Sequence, residues 1–97
     1  MMTLSISENS SKKRFEAEVE GMTAFVEYIR AKDAVYLTHT EVPPGLEGKG
    51  VGSGLVKAVL ETLEAEGARI APLCPFVAVY IKRHPEWKRL LAPNYNV

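Results

Sequence analysis

The chain has 97 residues, with twelve lysines and arginines balancing twelve aspartates and glutamates. That length suits one domain, so residues 1–97 are read as a single unit. The balanced charge excludes a global field toward nucleic acid or an anionic membrane. The single cysteine, Cys74, excludes an internal disulfide and points to a reducing compartment.

Met1 to Ile6 lack the basic and apolar regions of a secretion signal, and the longest apolar runs are far too short to span a bilayer. The expectation is a soluble, cytoplasmic domain, a monomer or weak homodimer, with neither membrane nor nucleic acid as partner.

Residues 3–8 alternate around Leu4 and Ile6 and suggest a first short strand, followed by a polar turn at Glu8-Asn9-Ser10-Ser11. From Arg14 to Glu20 the alternation is clean, with Phe15, Ala17 and Val19 opposing Glu16, Glu18 and Glu20. This is the pattern of a half-buried antiparallel strand. Gly21 supports a tight turn into a third strand, Thr23 to Arg30, and Lys32-Asp33 marks the turn into a fourth, Ala34 to Val42. An antiparallel meander therefore precedes residue 43.

Next comes a stretch with five glycines in the ten residues Gly45 to Gly54, and with one lysine. Leu55, Val56, Val59, Leu60 and Leu63 then recur at helical spacing, predicting a helix from about Gly50 to Glu66 with Gly67 as its C′ residue. Arg69 to Leu73 reads as a fifth strand, parallel to the fourth because a helix joins them. Pro75 suits the first position of a second helix, running to about Arg83, with Cys74 as its cap residue. Pro85 ends that helix, and Glu86 to Leu91 can form one further turn.

A strand, a glycine-rich turn and a helix start in succession present unpaired N–H groups that favour phosphate. Spacing restricts which phosphate compound. A nucleotide P-loop needs Ser or Thr after its lysine, and here Gly50 follows Lys49. The dinucleotide fingerprint needs Gly-x-Gly-x-x-Gly on an early βαβ unit, whereas glycines 48, 50, 52 and 54 alternate and follow a meander.

Glu47-Gly48-Lys49-Gly50-Val51-Gly52 resembles the pyrophosphate loop of the Gcn5-related N-acetyltransferases (GNAT), usually Gln/Arg-x-x-Gly-x-Gly/Ala. Three further blocks resemble a minimal subgroup of that family with an active-site cysteine: His39-Thr40-Glu41-Val42-Pro43, Pro72-Leu73-Cys74-Pro75-Phe76-Val77, and Tyr80-Ile81-x-x-His84-Pro85-Glu86. The resemblance implies an α/β (α+β) fold: an antiparallel N-terminal meander leading into a β-α-β-α unit whose parallel strands 4 and 5 splay apart.

It implies acetyl-coenzyme A as co-substrate, an amine acceptor (a small amine or a protein or peptide), and no metal. The cofactor would be held by Val42, Glu47, Gly48, Lys49, Gly50, Val51, Gly52, Ser53, Leu73 and Cys74. Its pyrophosphate would rest on the N–H groups of Lys49 to Ser53, and its pantetheine arm would pair with main chain near Glu41 and Val42. Glu47 departs from the family's Gln/Arg. An acidic side chain beside a pyrophosphate is unfavourable, so Glu47 is expected to point away, leaving Lys49 and the backbone to carry the charge.

Acyl transfer needs a neutral amine, a polarised thioester carbonyl and a proton for the leaving thiolate. His39 and Glu41 lie two apart, sharing the face of Val35 and Leu37 if no bulge intervenes, and either could take the ammonium proton. Cys74, at a helix N-terminus where a thiolate is favoured, could accept the acetyl group or protonate the coenzyme thiolate. Tyr80 occupies the position of the wider family's acid, though a core aromatic reads as well. Phe76 and Trp87 read as packing residues, His84 as helix-terminal structure, and Lys82, Arg83, Lys88 and Arg89 as a solvated face. An acyl-coenzyme A-binding module without turnover is the alternative function.

Overall fold

The computed structural model describes residues 4–97. Its elements in chain order are β1 (Ser7–Asn9), β2 (Arg14–Val19), β3 (Met22–Arg30), β4 (Val35–Glu41), a 3-10 turn (Pro44–Leu46), α1 (Val51–Ala65), β5 (Ile70–Pro72), α2 (Pro75–Arg83) and a second 3-10 segment (Pro85–Leu90). The five strands form one sheet in sequence order; β1 to β4 are antiparallel, and β4 and β5 are parallel. The expected meander and crossover are both present.

The first strand is shorter and later than its alternation suggested. Thr3 lies outside the described residues, and Leu4 and Ile6 pack against the core without joining the sheet. Asn9 explains the shift. It closes β1, and its side-chain oxygen accepts bonds from the Ser11 hydroxyl at 3.0 Å and the Lys12 N–H at 3.1 Å. The turn therefore starts after Asn9, the local bonding asparagine favours.

Both helices pack on one face of the sheet. Phe15, Ala17, Val26, Val35 and Leu37 meet Leu55, Val59, Leu60 and Leu63 of α1 and Val77 and Ile81 of α2 in one core. Leu55, Leu60 and Leu63 are fully buried, and each contributes roughly 1.5–3 kcal/mol by leaving water. At the end of α1, Gly67 adopts φ 75°. Its N–H donates to Glu64 O at 2.9 Å while the Ala68 N–H donates to Leu63 O at 3.0 Å, the paired closure that a left-handed C′ residue permits. The sheet's opposite face, carrying Phe25, Glu27 and Ile29, is covered by no helix among the described residues.

Candidate functional site

The glycine stretch forms a hollow of about 210 Å³ lined by Val42, Leu46, Glu47, Gly48 and Gly50 to Ser53, with Phe76 of α2 as its far wall. Leu46, fully buried, pins the loop to the core. The Leu46 N–H donates to Pro43 O at 2.8 Å and the Glu47 N–H to Pro44 O at 3.2 Å, so both donors are satisfied within the turn. Gly50 caps α1 at φ 76°, a conformation that a residue with a Cβ takes at a cost, and no side chain caps the helix. The N–H groups of Val51, Gly52 and Ser53, in the first turn, consequently have no intrahelical acceptor. Gly52 packs closely as well: a Cβ there would stand 2.6 Å from Phe76 Cζ, at the tip of that ring.

The loop's lysine is placed contrary to expectation. Glu47 is exposed and borders the hollow. Lys49 does not line it; its Nζ donates to both carboxylate oxygens of Glu20, each at 3.0 Å, in the turn between β2 and β3. Side-chain direction here follows tertiary packing: the β2–β3 turn comes close enough that a Cβ on Gly45 would sit 3.1 Å from Met22 Cε. The turn thus offers Lys49 a carboxylate beside the loop.

The second half of the site lies where β4 and β5 separate. They pair only from Val35–Leu37 to Ile70–Pro72. The Cys74 N–H makes the last link, donating to Leu37 O at 2.8 Å. Beyond it the chain turns into α2, with Cys74 as N-cap and Pro75 in the first turn as expected, while the β5-facing edge of β4 continues without a strand partner.

The bulge left open by the sequence is present. Between the pairs Glu27–His39 and Tyr28–Leu37, β4 carries one extra residue, Thr38. Its hydroxyl donates to Glu27 O at 3.3 Å, so part of the interrupted ladder is replaced by a side chain. The extra residue reverses the facing of everything after it. His39 and Glu41 therefore do not share the face of Val35 and Leu37; they stand opposite Glu27 and Phe25 on the uncovered side. Thr40, opposite buried Val26, takes the helix side in their place.

This brings Thr40, which sequence reasoning passed over, to Cys74. The buried Cys74 thiol donates to Thr40 Oγ1 at 3.3 Å. His39 and Glu41 keep their own contact, Nε2 to Oε1 at 3.2 Å, with side chains 52% and 58% exposed. The His39 ring meets Phe25 edge-on at 6.2 Å between centroids. The candidate chemistry is thus split across the strand: thiol and hydroxyl on the helix side, imidazole and carboxylate on the open side. No signal in the sequence marks the bulge, since neither Thr38 nor its neighbours is a glycine or proline.

Tyr80 is buried in α2, its ring stacked on His84 at 4.2 Å. Burial first, and then Glu86, raise its hydroxyl pKa, while a hydrogen bond with the Trp87 side chain lowers it; the net shift is upward. The Trp87 contact ties the phenol toward the second 3-10 segment, and the His84 ring nitrogen Nδ1 sits 2.9 Å from Tyr80 O. Tyr80, Arg83, His84, Val79, Ser53 and Phe76 line a second groove of about 380 Å³. Phe76 separates this groove from the glycine hollow. Leu73, exposed at the strand end, lines neither.

A meander, a capless helix behind a glycine loop, and a parallel pair that splays at the next helix together define the GNAT fold. The solution structure of a GCN5-like protein from Staphylococcus aureus superimposes with a TM-score of 0.69 at 23% identity, over 94% of this chain and 90% of that one. A family model described as GCN5-related N-acetyl-transferase matches residues 14–90, and the chain belongs to that family. Among curated relatives, Protein NATD1 of Xenopus tropicalis is 25% identical over 87 residues, covering 86% of this chain and 79% of that protein. Protein NATD1 of Mus musculus is 27% identical over 84 residues, covering 82% of this chain and 76% of that protein. The human Protein NATD1 is 36% identical over 59 residues, 61% of this chain and 51% of that protein.

Proposed function

We propose that the chain transfers an acetyl group from acetyl-coenzyme A to an amine. What supports this reading is the glycine hollow at the start of α1 together with the gap between β4 and β5: Phe76, wall of the hollow, stands two residues past Cys74, the N-cap of the same helix. A pyrophosphate seated on the first-turn N–H groups of α1 directs the attached arm along the unpaired edge of β4 toward Cys74. Val42 and Gly48 to Ser53 hold the pyrophosphate end, with Leu73 and Cys74 at the thioester end.

In the reaction we infer, the Cys74 sulfur attacks the thioester carbonyl. A Cys74 thioester forms, the bond to the coenzyme sulfur breaks, and the coenzyme leaves as thiol with the proton that Cys74 gave up. The acceptor arrives at the gap between β4 and β5 as an ammonium and gives one proton to the His39–Glu41 pair on the open side; the neutral amine then attacks the acetyl carbonyl from the gap. The amide forms, the bond to the Cys74 sulfur breaks, and the second proton of the attacking nitrogen passes to that sulfur and restores the thiol. The uncovered sheet face suits a peptide or protein amine, which brings its own bulk to the site.

Intact-mass measurement after mixing with acetyl-coenzyme A tests this. A gain of one acetyl group, absent in Cys74→Ala, is expected. Activity surviving in Cys74→Ala with no adduct on the wild type would overturn the covalent step and leave direct transfer. Coenzyme binding without thiol release across a panel of amines would favour the binding module.

A further inference from the structure

Lys49 is the only basic residue between Val42 and Leu55, and its side chain is committed elsewhere. Both oxygens of Glu20 accept from Nζ at 3.0 Å. Both side chains are about half exposed, at 45% and 55%, but the backbone that presents Glu20 is set by its turn. Glu20 occupies a left-handed position at φ 53°, followed by Gly21 at φ 78°, which fixes the tight turn between β2 and β3. Two residues on, Met22 packs where a Cβ of Gly45 would be, so turn and loop are braced against each other. Among the described residues that line the hollow, Glu47 is the one charged residue, and Lys49 is not among them.

We propose that Glu20 is an inhibitory residue of the coenzyme seat. It holds Lys49 outside the hollow, and a pyrophosphate entering must draw Lys49 away from Glu20. The inference rests on the coenzyme reading above. The exchange is mechanically simple, because Lys49 lies between Gly48 and Gly50 and its four-carbon stem swings about Cα with the loop in place. Without Glu20 the lysine is free to serve the ligand from the start. The β2–β3 turn, which no acetyl-transfer step uses, thereby sets how tightly the cofactor is held.

Exposed ion pairs of this kind are weak, so the exchange changes affinity by about two- to fivefold at low salt. Calorimetric titration of coenzyme A into wild type, Glu20→Gln, Lys49→Gln and the double variant measures it. Glu20→Gln should bind coenzyme A about two- to fivefold more tightly, Lys49→Gln more weakly, and the double variant should match Lys49→Gln. The gain in Glu20→Gln should shrink as salt is raised.

Unchanged or weakened binding by Glu20→Gln overturns the inference and leaves the coenzyme reading standing. An equal gain from Glu20→Gln in the Lys49→Gln background also overturns it, since the carboxylate would then be repelling the ligand directly. No coenzyme A binding by the wild type overturns the coenzyme reading and this inference with it. Circular dichroism confirms that each variant is folded; if Glu20→Gln unfolds, Glu20→Asn, which tolerates the left-handed position, replaces it.

Discussion

Gly52→Ala separates the loop's structural role from its binding role. A methyl there meets Phe76 at 2.6 Å to Cζ and 3.3 Å to each Cε, against an ordinary carbon contact of about 3.5–4.0 Å. The ring must retreat by roughly 1 Å. Phe76 is 44% exposed and its ring tip is the clashing atom, so it can turn outward. Losing about 40 Å² of ring contact costs about 1 kcal/mol. Replacing glycine by alanine within α1 returns up to about 1 kcal/mol. The two nearly cancel, and Tm should move by less than about 5 °C.

Binding should respond quite differently. The methyl stands in the hollow beside the first-turn N–H groups, and losing one hydrogen bond to a charged phosphate is worth about 1.5–3 kcal/mol, roughly a 10- to 100-fold weaker coenzyme A affinity. Thermal unfolding and calorimetry on the same samples test both halves. A fall of more than about 10 °C in Tm would mean that Phe76 is locked and the cancellation wrong. Unchanged affinity would mean that the backbone around Gly52 is not the pyrophosphate seat. Adding Phe76→Ala should relieve any residual clash in the double variant without restoring affinity.

Three further outcomes follow from particular residues. Glu47→Gln removes a negative charge from a residue that borders the hollow and should tighten coenzyme A by about two- to fivefold at low salt, read by the same titration. Leu60→Ala, in the fully buried stripe of α1, should cost about 2–5 kcal/mol in urea unfolding, and a loss under 1 kcal/mol would contradict the packing of this helix on the sheet. Tyr80 has its pKa raised, chiefly by burial, so its contribution to stability is full below the unfolded value of 10.0 and is lost as pH rises through that value and beyond. Tyr80→Phe, which has no group to ionise, should therefore decline less than wild type between pH 9.5 and about 11, compared by urea midpoints; parallel declines would refute the assignment.

The meander, the crossover helix and both helix starts were legible in the sequence because each is a local pattern. Phe15-x-Ala17-x-Val19 has the period of a half-buried strand, Leu55 to Leu63 the period of a helix, and Pro75 and Gly67 mark helix ends by backbone chemistry that neighbours cannot change. The blocks around His39 and Cys74 likewise placed the two halves of the candidate site side by side. What the sequence hid is which way the side chains of these segments face. Period-two reasoning carries along a strand only until a residue is inserted, and at Thr38 the insertion is stabilised by a hydroxyl bond to a neighbouring strand's carbonyl, an interaction between residues eleven apart.

The same holds for the charges of the loop. Electrostatics alone would send Glu47 outward and Lys49 inward, yet Lys49 is drawn to Glu20, 29 residues away, by a turn that packs beside the loop. The two surprises differ in consequence. The bulge is built into the backbone ladder, so moving Thr40 to the thiol and His39 to the open face is permanent and divides the chemistry between two sides of one strand. The Lys49–Glu20 pair is a side-chain choice between partners of similar strength, one that a bound pyrophosphate can reverse. In the proposed reaction the fixed inversion sets where acceptor and thioester meet; in the proposed coenzyme seat the reversible one sets how firmly the cofactor is held while they do.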